Sequence, residues 1–69
     1  MKNKFGERLK ELLKESNMKN KDLAERLNVS SRLVYYWING QRECDFDTLI
    51  ELSNIFDVSA DFLLGKTEY

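Results

Sequence analysis

The 69-residue sequence contains no histidine, no proline, one cysteine and three glycines. Without histidine, and with Cys44 alone, it lacks the ligands and bases of zinc fingers, thiol–imidazole pairs and most transition-metal sites, so no metal or cofactor is expected. Cys44 has no partner for an internal disulfide. Small secreted domains depend on several, so a cytoplasmic location is expected. Three scattered glycines do not make a phosphate-cradling loop. The absence of proline, together with 42% hydrophobic residues, argues against a linker or a disordered tail. No apolar run approaches the ~18 residues that cross a bilayer, and the basic opening has no apolar signal region behind it, so no membrane partner is expected. The closest carboxylate pair outside the helix interiors is Asp45 and Asp47. At i, i+2 in a helix start they point apart, and capping accounts for both. With no catalytic constellation the chain is read as a non-enzyme, and no small-molecule ligand is evident.

What is present is charge, unevenly placed. Residues 1 to 42 carry ten Lys or Arg against five Asp or Glu, a net of +5, whereas residues 43 to 69 carry Lys66 against seven acids, a net of −6. Such a split suggests a polyanionic partner for the basic half, or merely two solvated faces of opposite sign. The whole chain sits at −1, which counts against nonspecific nucleic-acid binding by bulk charge. The length fits a single domain, residues 1–69, that buries roughly 60% of its unfolded surface and is marginally stable.

Apolar spacing is helical throughout. Phe5, Leu9, Leu12 and Leu13 fall at i, i+4, i+7 and i+8 and stripe a first helix. Ser16-Asn17 ends it, since asparagine tolerates the left-handed conformation. The pair Met18 and Leu23 has hydrophobic-staple spacing around a helix start, as do Val29 with Val34, Cys44 with Leu49, and Val58 with Leu63. Ser30, Asp45 and Ser59 are good N-caps, and Gly40 and Gly65 end the third and fifth helices. The expected architecture is all-α, five helices over about 4–16, 19–27, 30–39, 45–56 and 59–64, packed as a compact globule.

The second and third helices are joined by Asn28-Val29-Ser30, tight enough for a helix-turn-helix. Ala24 lets the third helix cross close to the second. Val34, Trp37 and Ile38 form the buried face of the third helix, with Trp37 read as core. At ~100° per residue the opposite face centres on Arg32, Tyr36 and Asn39, flanked by Tyr35 and Leu33, with Ser31 in the first turn. No carboxylate occurs from residue 26 to residue 42. This face donates hydrogen bonds, presents flat rings and does not repel phosphate. A protein-contacting helix is the other reading, since Tyr, Trp and Arg also anchor interfaces.

Most of the chain resembles the lambda-repressor-like helix-turn-helix family of phage repressors, Cro proteins and bacterial regulators. The matching stretches are Phe5-Gly6-Glu7-Arg8-Leu9-Lys10, Asp22-Leu23-Ala24-Glu25-Arg26-Leu27-Asn28-Val29-Ser30 and Trp37-Ile38-Asn39-Gly40-Gln41-Arg42-Glu43. Thr48-Leu49-Ile50-Glu51-Leu52 and Val58-Ser59-Ala60-Asp61-Phe62-Leu63-Leu64-Gly65 complete them. The resemblance implies a five-helix DNA-binding domain that places its third helix in the major groove and reads two half-sites as a dimer. It implies Ser31, Arg32 and Tyr36 as base readers and Asn20 as a phosphate contact. Asn39, Gln41 and Arg42 then grip the backbone from the following loop, and Ser30 and Tyr35 complete the DNA-facing set. Three residues depart from the family pattern. Lys19 replaces the usual Thr or Ser cap, so Asn20 is left to cap the second helix as well. Cys44 replaces a common proline, and Ile38 replaces a frequent glutamate.

The expected function is a small sequence-specific regulator of double-stranded DNA, a repressor of phage or mobile-element type on a palindromic operator. The alternative is a protein-interaction module on the same fold, an antitoxin or anti-regulator. The last residues are unusually apolar. Phe62, Leu63, Leu64 and Tyr69 read as the patch of a weak homodimer stabilised on DNA, or as a tucked tail. Cys44 reads as an inert small residue; redox sensing would need a depressed pKa, which Glu43 and Asp45 oppose.

Overall fold

A computed structural model describes residues 3–67, and all its regular elements are helices: α1 (Phe5–Glu15), α2 (Asn20–Leu27), α3 (Ser31–Ile38), α4 (Phe46–Phe56) and α5 (Ala60–Leu64). These lie within a residue or two of the expected spans. Each start has a physical cause. The hydroxyl of Ser30 accepts a hydrogen bond from the Leu33 amide at 3.2 Å, the carboxylate of Asp45 from Thr48 at 2.8 Å, and the hydroxyl of Ser59 from Phe62 at 3.0 Å. These satisfy amide donors that a helix start otherwise leaves open. Hydrogen bonds from the Thr48 hydroxyl and amide hold the Asp45 carboxyl below its usual range, so this cap is present near neutrality and lost in acid.

The start of α2 departs from expectation. Asp22, not Asn20, does the capping: its carboxylate accepts the Lys19 amide at 3.0 Å. Asn17 takes the expected left-handed conformation, and Asn28 and Asp57 take it too, ending α2 and α4. The residue after each of these two, Val29 or Val58, donates its amide back to Ala24 or Ser53, at 2.9 and 3.0 Å. Its side chain turns onto the core in the same step.

The core joins all five helices through Phe5, Leu9, Leu12, Leu13, Leu23, Ala24, Val34, Trp37, Leu52 and Leu63. Trp37 is buried, its ring edge-on to Phe5 at 6.3 Å. Ile38 packs against the core, so the residue that replaces a frequent glutamate acts as apolar filling. Helix α1 packs against both α3 and α5. No helix among the described residues is long and apolar enough to cross a membrane.

One residue of the expected dimer patch at the C-terminal end is drawn inward. Leu63 is 0% exposed, so it belongs to the core and offers no surface. Phe62 is half-buried under the Arg8 guanidinium, whose carbon stands 4.5 Å from the ring centre. Arg8 also donates to the Thr67 carbonyl at 3.4 Å, and Lys4 donates its amide to the Leu64 carbonyl at 3.3 Å. Leu64, at 38%, is the most exposed of the three described residues; Tyr69 lies outside the described residues. A five-residue helix shows one side to the core, and the staple from Val58 already points Leu63 there.

Candidate nucleic-acid interface

Helices α2 and α3 pack against one another, and Ala24 of α2 is buried in the core. Asn28 in the left-handed conformation and the Ser30 cap fix the turn between them. This places the start of α2 beside the first half of α3. Lys19, Asn20 and Lys21 line one shallow cleft with Ser31, Arg32 and Tyr35. Ser31, Arg32 and Tyr35 are all exposed. With Asp22 capping the helix, the Asn20 amide is spared that task. The cleft carries three cationic side chains. The sequence singles out Asn20, Ser31, Arg32 and Tyr35 of this cleft as DNA-facing; Lys19 and Lys21 join them only in the structure.

The second cluster forms at the other end of α3. The chain turns through Gly40, and the amides of Gln41 and Arg42 donate back to the Tyr36 carbonyl at 2.9 and 3.3 Å. The loop therefore lies against the helix end, with Asn39, Gln41 and Arg42 exposed. The Arg42 guanidinium stands 5.8 Å from the centre of the Tyr36 ring, within cation–π range. Tyr36 is half-buried, so of the two tyrosines Tyr35 is the more exposed. Ser30 is exposed, although its hydroxyl oxygen already accepts from Leu33. The nearest carboxylate in the chain after this loop, Glu43, accepts a hydrogen bond from Asn3 at 2.9 Å.

Cys44 follows. It is half-buried, and burial, with Asp45 and Glu43 nearby, pushes its thiol up from 9.0 to about 11. The thiolate is the reactive form, so native protein near pH 8 is expected to alkylate far more slowly than the unfolded chain. The thiol itself begins to cost stability only as pH rises above 9 toward about 11. Equal labelling rates with and without urea would refute this. No group of three or more Cys, Asp or Glu among the described residues could hold a metal ion.

Residues 9–63 match the helix-turn-helix family. The chain belongs to this Cro/C1-type family. Three proteins of Bacillus subtilis are similar to it. The HTH-type transcriptional regulator ImmR is 41% identical over 64 residues, covering 93% of this chain and 50% of ImmR. The HTH-type regulator YqaE is 38% identical, covering 87% of this chain and 52% of YqaE. The SPbeta prophage-derived HTH-type regulator YonR is 38% identical, covering 91% and 58%. A transcriptional regulator from Listeria innocua has the same fold, with a TM-score of 0.91 and 38% identity over all of this chain and 64% of that one. The chain thus spans about half the length of the curated relatives it matches.

Proposed function

We propose that the chain binds double-stranded DNA sequence-specifically and regulates transcription, as a repressor of phage or mobile-element type acting from the cytoplasm on a palindromic operator. The observation that carries this reading is the outer surface of α3. Ser31, Arg32 and Tyr35 stand exposed there beside Lys19, Asn20 and Lys21, with no acid in the cleft. The prophage origin in the name of YonR supports the phage type. The function divides between the two clusters. Arg32, near the start of α3, has a guanidinium fork that suits guanine O6 and N7, and the flat ring of Tyr35 suits a thymine methyl. Lys19, Asn20 and Lys21 hold one phosphate run and Gln41 and Arg42 another, which sets the register of the helix in the groove. Two copies on one site would supply the length of sequence that one short helix cannot read.

The test is selection of bound duplexes from a random pool, followed by binding across a salt series. Enrichment of an inverted repeat supports the reading, and a pool that stays random sinks it. Within the same series, Arg42→Ala is expected to weaken binding to selected and unselected duplexes alike and to lower the salt slope by roughly one unit. An unchanged slope would remove Arg42 from the phosphate contacts.

A further inference from the structure

The loop that follows α3 is tied to one residue twice. The amides of Gln41 and Arg42 donate to the Tyr36 carbonyl, and the Arg42 guanidinium stands over the Tyr36 ring, 5.8 Å from its centre. The same ring stands 6.4 Å from that of Tyr35, tilted by 54°. We propose that Tyr36 is a positioning residue for Arg42: its ring holds the guanidinium ready for a phosphate and does not itself read a base. The proposal rests on the DNA-binding reading above, and it gives Tyr36 a different task from the one that the family resemblance implies.

Three observations carry it. The first is exposure. Tyr36 is half-buried, whereas Arg32, one turn earlier on the same face, and Tyr35 beside it are exposed. Base edges are met by the side chains that stand furthest out, and the Tyr36 ring is already engaged by a neighbour. The second is charge. A carboxylate could also hold Arg42, but it would neutralise the cation, and each incoming phosphate would have to displace it. A ring face holds the guanidinium and leaves its charge in place. Glu43, the next residue in the chain, is hydrogen-bonded to Asn3 at 2.9 Å.

The third observation is the division of work within Tyr36. Its carbonyl fixes where the loop backbone runs, and its ring fixes where one side chain of that loop lies. A long side chain loses rotamer freedom when it is immobilised on a partner. A guanidinium already resting on a ring has lost part of that freedom before DNA arrives. Affinity is gained in this way without any added phosphate contact. Tyr35 lines the cleft at the start of α3, so the two rings join that cleft to the loop at the other end of the helix. The base-reading and phosphate-gripping clusters are thereby held in one register.

The deciding experiment places Tyr36→Leu and Tyr36→Phe in the full chain, alone and together with Arg42→Ala. Both substitutions keep the carbonyl that anchors the loop, and Tyr36 lies outside the core. Without DNA, proton NMR should show the Arg42 δ-protons shifted upfield by the ring in the wild type and in Tyr36→Phe, and the shift should be lost in Tyr36→Leu. On the selected operator and on a mixed-sequence duplex alike, Tyr36→Leu should bind about two- to fivefold more weakly. Its salt slope should be kept, because Arg42 still meets its phosphate. Tyr36→Phe should rescue the binding, and in the Arg42→Ala background Tyr36→Leu should cost nothing further. Loss confined to the operator overturns the proposal, because Tyr36 would then read a base. A Tyr36→Phe variant as weak as Tyr36→Leu overturns it in favour of a contact through the hydroxyl. It also falls if the loss persists without Arg42, or if the wild type shows no upfield shift. If the wild type binds neither duplex, the DNA reading fails by itself, and the Arg42 shift still decides whether Tyr36 holds that side chain.

Discussion

Gly6→Ala is expected to destabilise the domain by ~3 kcal/mol, a large part of what so small a protein holds. Gly6 lies in the first turn of α1, where alanine would ordinarily be the better helix former by ~1 kcal/mol. Here the neighbours decide the outcome. A Cβ on Gly6 would stand 2.6 Å from the Trp37 carbonyl oxygen and 2.7 Å from that of Ile38. Both are backbone atoms at the end of α3, so no rotamer change relieves the contact. Either α1 lifts off α3, loosening Phe5 from Trp37, or the end of α3 shifts. Gly40→Ala is the control. Gly40 has a positive φ of +76° but nothing within 4 Å of its added Cβ, so only the backbone penalty of ~1–2 kcal/mol applies. Urea denaturation of both variants decides the matter, and a Gly6→Ala midpoint at or above that of Gly40→Ala would show the helix contact to be slack.

Arg32→Ala is expected to cost ~1–3 kcal/mol at the selected operator and to relax preference at one base pair in each half-site. The side chain is exposed at the start of α3, in the cleft shared with Lys19 and Lys21. A guanidinium there could serve a base or a phosphate, and the two roles differ in measurement. Loss confined to the operator assigns Arg32 to a base. Equal loss on operator and unrelated duplex would assign it to phosphate and leave Ser31 and Tyr35 as the readers. The stability of the fold should be unchanged, since no core contact is made by this residue.

The helices, and every start but that of α2, were legible because they depend on neighbours in the chain. Ser30, Asp45 and Ser59 cap at a distance of three residues, and the staples reach five, so sequence spacing contains the information. Asn28 and Asp57 were harder. Their left-handed conformation is shared by Asn17, but asparagine and aspartate also read as ordinary surface residues. The close approach at Gly6 was illegible, because it is set by where α3 crosses α1 and not by anything near residue 6. The apolar C-terminal end shows a weighting error. The staple between Val58 and Leu63 directs Leu63 inward, yet Leu63 reads as part of a dimer patch or a tucked tail together with Phe62 and Leu64. The converse holds for α4. Phe46 and Ile50 belong to a broad apolar pattern with Leu49, Leu52, Ile55 and Phe56, and only the packed structure separates the residues that face outward.

The hydrogen bond from Lys4 to the Leu64 carbonyl, with Arg8 reaching the Thr67 carbonyl, makes the backbone almost a closed ring. Tension applied through the two ends of such a ring opens it as a zipper, parting α1 from α5 one contact at a time. Because the first turn of α1 also rests on the end of α3, through Gly6 and through Phe5 against Trp37, the load reaches α3 as soon as α1 begins to part. Under force, the first and third helices then loosen together.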